Sequence, residues 1–154
     1  MPTVALADEA ATARLAAALA AGAGAGDFIA LRGPLGVGKT AFARAFIEAL
    51  SGGAEEVPSP TFTLVQTYDT PSGSIWHFDL YRLKEPGELR ELGFDEALVQ
   101  GLALVEWPER IEGLLPADRL DLELSFAPEA ETARLARLVG HGAWAERLAR
   151  GQWT

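Results

Sequence analysis

A chain of 154 residues, 49% of them apolar and 23% charged, has the size and composition of one globular domain, which excludes a largely disordered protein. The formal net charge of −9 argues against a broad basic surface that neutralises nucleic-acid phosphates, so a partner would have to hold any RNA. The sequence has no cysteine, which excludes disulfides, thiolate catalysis and cysteine metal sites. We expect a single domain over residues 1–154.

The N-terminal segment, residues 10–26, is rich in alanine and could be taken for a signal peptide. It is preceded by Asp8 and Glu9 rather than by basic residues, and Arg14 interrupts its apolar run. We therefore predict a helix over residues 9–20 in a cytoplasmic protein. The sequence contains no apolar run that approaches the length of a membrane span.

The hydrophobic pattern predicts alternating strands and helices along the chain. Strands are predicted over residues 3–6, 27–31, 61–68, 74–81, 101–105, 120–126 and 133–139. The run at 120–126 alternates apolar and acidic residues, which is typical of a half-exposed strand. The turn at 69–73 joins two strands in a hairpin.

Further helices are predicted over residues 39–50 and 143–149, and Pro86 begins either one helix or two short ones that carry Leu89, Leu92 and Phe94. Alternating strands and helices predict an α/β fold. Its central sheet is expected to be mainly parallel, with added antiparallel strands and flanking helices.

Residues 33–40, Gly-Pro-Leu-Gly-Val-Gly-Lys-Thr, match the P-loop pattern G-x-x-x-x-G-K-[ST] and lie between a predicted strand and a predicted helix. The glycines let the backbone wrap around a phosphate, and the helix adds its positive N-terminal end. Lys39 is expected to reach the β- and γ-phosphates, and the Thr40 hydroxyl to ligate Mg²⁺. A glycine-rich turn without a ligand is the alternative, but the pattern arises by chance in well under about 1% of chains this long. The predicted phosphate-binding residues are Gly33, Leu35, Gly36, Val37, Gly38, Lys39 and Thr40.

Glu106 follows the apolar run at 102–105, and in P-loop proteins an acid at the end of a strand beside the loop approaches the metal. The usual acid is aspartate, and a solvent-facing glutamate is the alternative. The hairpin strand at 74–81 would place His77, Asp79 and Tyr81 on one face. Asp79 could orient a water for attack on the γ-phosphate or hold the metal through water.

Other residues near these motifs leave alternatives open. His77 is either part of the site or a satisfied, partly buried histidine. Arg82 is expected to pair with a carboxylate rather than with phosphate. The segment 57–65, with two prolines before a strand, is either a switch that senses the γ-phosphate or an ordinary rigid loop.

Taken together, the motifs resemble the TsaE/YjeE family of P-loop ATPases. The resemblance rests on residues 33–40, on Ser-Pro-Thr-Phe-Thr-Leu-Val at 59–65, on His-Phe-Asp-Leu-Tyr-Arg-Leu at 77–83 and on Val-Glu-Trp-Pro at 105–108. It covers residues 27–116, and the tail fits more loosely. The first motif is shared by many ATPases, whereas the third and fourth are far more specific.

The resemblance implies an ATPase that works with the TsaB and TsaD proteins to place threonylcarbamate on tRNA adenosine beside the anticodon, so that tRNA is met through the complex. By position, Thr40 and Glu106 would ligate Mg²⁺, Lys39 would hold ATP, and Asp79 would be essential for hydrolysis. Arg134 would lie near the adenine. Trp107 would help form the functional surface, although a tryptophan after a buried strand is most often packing.

Other functions remain open at this stage. A P-loop small-molecule kinase would carry an arginine-bearing lid, but the arginines of the second half are scattered. A GTPase would use a guanine-reading motif with asparagine, a residue that the sequence lacks. A protein that binds nucleotide without turning it over is the third alternative.

Overall fold

The computed structural model describes residues 2–52, 64–71 and 73–153, and its strands form one seven-stranded sheet. In chain order these are β1 (Thr3–Leu6), β2 (Phe28–Arg32), β3 (Val65–Thr70), β4 (Gly73–Asp79), β5 (Leu102–Glu106), β6 (Arg119–Phe126) and β7 (Arg134–His141). They lie in the order β1-β7-β6-β2-β5-β4-β3. The central strands β6, β2, β5 and β4 are parallel, and the outer pairings are antiparallel. The predicted α/β fold is confirmed.

The helices are α1 (Glu9–Ala21), α2 (Lys39–Ser51), α3 (Glu88–Glu91), α4 (Phe94–Gln100) and α5 (Ala143–Arg150), with a 3₁₀ helix at Pro108–Leu114. Asp8 caps α1 by accepting a hydrogen bond of 2.9 Å from the backbone N–H of Ala11, which explains why the helix begins there. Within the described ranges, no helix combines the length and apolar character that a membrane span requires.

The sheet separates two apolar layers. On one face, α1, α2 and α5 pack against the sheet through residues such as Leu19, Phe46 and Trp144. On the other face, α3, α4 and the 3₁₀ helix cover only the β2, β5 and β4 part of the sheet, through Phe94 and Ile111 among others. Strands β2 and β5 are therefore covered on both faces, which explains their unbroken apolar sequences. They are the strands whose carboxyl ends lead into the predicted site.

Strand β6 is half-exposed, as its alternating sequence predicted: Leu120, Leu122 and Leu124 are buried, whereas Glu123 is partly exposed and Ser125 is exposed. Asp121 departs from this pattern, because it is only 6% exposed. The strand lies inside the sheet between β2 and β7, and Asp121 accepts hydrogen bonds from Arg32 at 3.2 Å and from Arg119 at 3.3 Å. An ion-pair cluster, which a single strand's pattern cannot reveal, therefore satisfies the buried carboxylate.

The hairpin of β3 and β4 is confirmed, but β4 is shorter than predicted. It ends at Asp79, so Tyr81 lies beyond the strand and does not follow its alternation. The Asp79 carboxylate accepts a hydrogen bond of 3.1 Å from the Tyr81 N–H, which turns the chain away from the sheet. Residues 61–63 of the predicted strand, and most of the proposed switch segment 57–65, lie outside the described residues.

The segment after Pro86 forms two short helices, and the break lies at Gly93. This residue has φ +83°, a left-handed conformation that glycine adopts without strain. A Cβ atom at this position would lie 2.8 Å from Cζ3 of Trp76. The break therefore requires glycine both for its backbone conformation and for the close approach of the indole.

We predict that Gly93→Ala lowers the free energy of unfolding by about 2–4 kcal/mol, because a left-handed alanine and the displaced Trp76 ring both cost stability. Gly24→Ala is the matched control, since a Cβ there meets no atom within 4 Å. Urea unfolding followed by tryptophan fluorescence measures both variants. Equal stability of the two would contradict this account of the break.

Candidate active site

The glycine-rich loop at 33–38 connects β2 to α2 and depends on its glycines. Gly33, Gly36 and Gly38 have φ values of +145°, +80° and +118°. A Cβ on Gly33 would lie 2.5 Å from the carbonyl oxygen of Leu124 and 2.8 Å from Cγ1 of Val37. Gly38 precedes α2 without a side-chain cap, so the first N–H groups of this 13-residue helix are available to an anion.

Thr40 and Glu106, the predicted metal ligands, are in direct contact. The Thr40 Oγ1 atom lies 2.8 Å from Glu106 Oε1 and 3.1 Å from Oε2. Glu106 ends β5 beside β2 and is 2% exposed. Within the described residues, no group of three or more His, Cys, Asp or Glu side chains could form a metal cage. One hydroxyl and one carboxylate suit Mg²⁺, which takes few protein ligands and completes its shell with phosphate and water oxygens.

Lys39 lies at the centre of the site and is only 4% exposed. Its Nζ atom donates a hydrogen bond of 2.6 Å to the carbonyl oxygen of Gly33 and lies 3.1 Å from the centroid of the Trp107 ring. Burial lowers the pKa of Lys39, against the opposing charges of Glu106, Glu109 and Asp79. The ammonium is thus held by a carbonyl and an aromatic face, both of which can exchange for phosphate oxygens.

Asp79 lies beside Glu106, because the two residues are register partners on the parallel strands β4 and β5. Burial raises the pKa of Asp79, and the negative charge of Glu106 raises it further. The N–H of Tyr81 and the charges of His77 and Lys39 oppose this shift. A carboxylate with a raised pKa at the edge of a cleft is suited to hold a water and accept its proton.

These side chains line one cleft of about 290 Å³ above the glycine-rich loop. Its lining consists of Leu35, Gly36, Gly38, Lys39, Thr40, Asp79, Tyr81, Arg82, Glu106 and Trp107. The structure therefore brings the predicted catalytic and metal-binding residues together in one place. Arg82 lies at its rim, and its pairing with a carboxylate stays a prediction.

Arg134 contacts the glycine-rich loop but does not line this cleft. Its Nε atom donates a hydrogen bond of 2.8 Å to the carbonyl oxygen of Val37, and the guanidinium lies 4.6 Å from the centroid of the Phe126 ring. A second cavity of about 180 Å³ adjoins this contact and is lined by Glu9, Thr12, Val37, Glu131, Thr132 and Arg134. Arg134 thus links β7 to the middle of the loop.

Sequence reasoning missed two contacts that shape the site. Trp107 adopts a left-handed backbone conformation with φ 61°, and its ring packs 5.0 Å from that of Tyr81 as well as over Lys39. Arg32, directly before the loop, pairs with Asp121 and makes a bidentate bond of 3.0 and 3.1 Å with Glu112 of the 3₁₀ helix. The Val-Glu-Trp motif indicated that Trp107 belongs to the site, whereas no local sequence pattern predicted the ion pairs of Arg32.

Comparisons with known proteins agree with this geometry. Residues 6–136 match the family described as threonylcarbamoyl adenosine biosynthesis protein TsaE. A Rickettsia bellii protein named tRNA threonylcarbamoyladenosine biosynthesis protein TsaE is 48% identical over 100 residues, which are 65% of this chain and 69% of that protein. A Bacillus subtilis protein of the same name is 39% identical over 117 residues, 75% and 72% of the two chains. The crystal structure of Bacillus subtilis YdiB superposes with a TM-score of 0.78 at 30% identity, covering 97% of this chain and 94% of that chain.

We predict that Asp79→Asn stabilises the protein at neutral pH. The pKa of Asp79 is higher in the folded than in the unfolded chain, so its ionised form costs stability above the folded pKa, and the cost disappears as pH falls below the unfolded value. Asparagine can still accept the Tyr81 hydrogen bond. If the substitution raises the free energy of unfolding by about 1 kcal/mol, Tm should rise by about 2–4 °C at pH 7.5.

Thermal unfolding at pH 7.5 and at pH 4 measures this difference against the wild-type protein. Asp69→Asn, at an exposed position on β3, is the matched control and should leave Tm unchanged. A stabilisation by Asp79→Asn that persists undiminished at pH 4 would show that relief of the buried charge is not its cause.

Proposed function

The chain belongs to the TsaE family, and we propose that it is a Mg²⁺-dependent P-loop ATPase that supports the TsaB–TsaD pair in threonylcarbamoylation of tRNA adenosine. The observation that carries the ATPase proposal is the meeting of the Thr40 hydroxyl and the Glu106 carboxylate at 2.8 Å, beside the buried Lys39. Hard oxygen ligands next to a phosphate-binding loop suit Mg·ATP. The family's role in threonylcarbamoyladenosine biosynthesis supports the pathway.

In this proposal the loop residues bind the phosphates. The N–H groups at the start of α2 and the Lys39 ammonium neutralise the β- and γ-phosphates, while Thr40 and Glu106 hold Mg²⁺. Bound Mg²⁺ would supply positive charge where the phosphate oxygens become more negative. Lys39 would exchange its contacts with the Gly33 carbonyl and the Trp107 ring for phosphate oxygens.

Asp79 is proposed to serve hydrolysis. The attacking water forms a bond to the γ-phosphorus, the bond from that phosphorus to the bridging oxygen breaks, and ADP leaves. Asp79 orients this water and takes its proton, a role that its raised pKa favours. In the described part of the chain, no arginine lines the cleft except Arg82. This supports slow turnover by the isolated protein and faster turnover with partners.

The cavity beside Val37 and Arg134 is proposed to receive the adenine base. It adjoins the same loop as the phosphate cleft, and Glu9 and Glu131 are in its lining. Carboxylates accept hydrogen bonds from the 6-amino group of adenine, so the lining suits a base that carries an amino group. Arg134 has a positioning role in this proposal through its contact with the Val37 carbonyl.

Side chains exposed at the rim of the cleft support a role for protein partners. Leu35 at the loop is 69% exposed and Tyr81 is 42% exposed, next to the half-buried Trp107. Apolar and aromatic side chains at the mouth of a site are suited to contact another protein. The net charge of −9 supports contact with tRNA through the TsaB–TsaD complex rather than directly.

We predict that ATP hydrolysis by this protein requires Mg²⁺ and increases when the TsaB–TsaD pair of its own organism is added. Lys39→Ala and Glu106→Ala should each lower turnover at least about tenfold, because the first removes a positive charge from beside the transferring phosphoryl group and the second removes a proposed ligand of Mg²⁺. Lys84→Ala, at the other lysine of the chain and at an exposed position, is the matched control.

The outcomes separate the competing functions. If the rate of ATP hydrolysis does not change when TsaB–TsaD is added, the protein is still an ATPase, but the proposed role in tRNA modification is refuted. Normal turnover in both variants would refute the assigned site. ADP formation that depends on an added small-molecule acceptor would instead favour the kinase alternative.

We predict that Thr132→Trp weakens ATP and ADP binding by about tenfold or more, because an indole would fill the proposed adenine cavity. Binding of inorganic tripolyphosphate should change by less than about twofold, since the phosphate cleft is untouched. Isothermal titration calorimetry measures these affinities, with Thr67→Trp at an exposed position on β3 as the control. Equal loss of tripolyphosphate and ATP binding would contradict the adenine assignment.

A further inference from the structure

His77 is the most deeply buried polar side chain near the site. It lies in the middle of β4 and is 0% exposed. Its Nε2 atom lies 2.7 Å from Oε2 of Glu106, whereas its Nδ1 atom is buried with no hydrogen-bond partner among the described residues. A histidine that served only to fill the core would bury an unpartnered nitrogen without need, since the apolar side chain of Ile75 fills the preceding position on the same face of β4.

The contact fixes the carboxylate of Glu106 from the neighbouring strand β4. His77 approaches Oε2 at 2.7 Å, and the Thr40 hydroxyl lies nearest to Oε1 at 2.8 Å. The register of the parallel strands pairs His77 with Leu104, two residues before Glu106, so the imidazole reaches diagonally to the carboxylate. Oε1 therefore contacts Thr40, and Oε2 contacts His77 and, at 3.1 Å, also Thr40, so rotation of the carboxylate is restricted.

We propose that His77 is a positioning residue for the metal ligand Glu106. Its Nε2–H donates to Oε2 and holds the carboxylate so that Oε1 stays beside the Thr40 hydroxyl. This inference rests on the proposed Mg²⁺ site and deepens it. The assignment requires the Nε2–H tautomer, because a carboxylate oxygen accepts and does not donate. Loss of a side chain that orients a metal ligand typically lowers metal affinity or activity by about 10–100-fold. If His77 only positions Glu106, saturating Mg²⁺ should compensate for its loss.

Two substitutions of different length separate this role from simple packing. In His77→Gln the side-chain amide nitrogen can occupy the place of Nε2 and still donate to Glu106. In His77→Asn the amide reaches only to the place of Nδ1, so the donor is lost. Both variants keep a polar amide in the core, and neither keeps the ring.

The first measurement is the affinity for a non-hydrolysable ATP analogue, by calorimetry, as a function of Mg²⁺ concentration. We expect His77→Asn to raise the Mg²⁺ concentration for half-maximal binding by about 10–100-fold and His77→Gln by less than about threefold. Binding of the metal-free analogue and kcat at saturating Mg²⁺ should change little in either variant. Equal effects of the two substitutions would overturn the proposal and leave His77 as a packing residue.

Glu106→Ala distinguishes failure of this inference from failure of the proposed function. If Glu106→Ala does not alter the Mg²⁺ dependence, the metal site itself is wrong and the inference falls with it. If Glu106→Ala shifts the dependence and His77→Asn does not, only the role of His77 is wrong.

A second measurement, on the wild-type protein, does not depend on the His77 variants folding. The chain has two histidines, so a long-range ¹H–¹⁵N correlation spectrum contains two imidazoles, and comparison with His141→Gln identifies the signals of His77. We expect the Nε2–H tautomer for His77 in the metal-free protein. An Nδ1–H tautomer would overturn the proposal, because Nε2 could then not donate to Glu106.

Discussion

Asp79 and Glu106 are neighbouring carboxylates at the carboxyl ends of β4 and β5, and the arrangement of the site depends on burying both. Burial and like charge disfavour this pair, so nearby groups must offset the cost. The Thr40 hydroxyl and the His77 imidazole contact Glu106, and the Lys39 ammonium supplies the nearest positive charge. A divalent cation bound between Thr40 and Glu106 would add the remaining compensation.

An ion pair outside the cleft joins two segments that form it, the glycine-rich loop and the segment after β5. Arg32 ends β2 directly before the glycine-rich loop, and Glu112 lies in the 3₁₀ helix that follows Trp107. Their bidentate contact joins the start of the glycine-rich loop to the segment that carries Glu106 and Trp107. Asp121 anchors the same guanidinium to β6. A planar guanidinium can hold both carboxylates at once, which a lysine ammonium could not do with the same geometry.

The sequence was sufficient where a local rule decides the structure. Strand Thr3–Leu6, the start of α2 at Lys39 and the glycine conformations at 33–38 follow from hydrophobic pattern and backbone sterics. The contact of Arg32 with Glu112 joins residues 80 positions apart, so no local pattern contains it. The burial of Asp121 depends likewise on partners from other segments. The P-loop motif located the site, and tertiary packing determined which side chains complete it.

Several locally unfavourable features collect at this one edge of the sheet. Trp107 is left-handed, His77 Nδ1 is unpartnered among the described residues, and the pKa of Asp79 is raised. Each costs stability by itself, and the apolar layers on both faces of the sheet offset that cost. Each also leaves a group in contact with Lys39, Glu106 or the cleft. Such features are not confined to the cleft, since Trp144 Nε1 on α5 is also buried without a partner among the described residues. Those at the cleft differ in that they adjoin the groups proposed to bind phosphate and metal, where local strain is acceptable in exchange for chemistry.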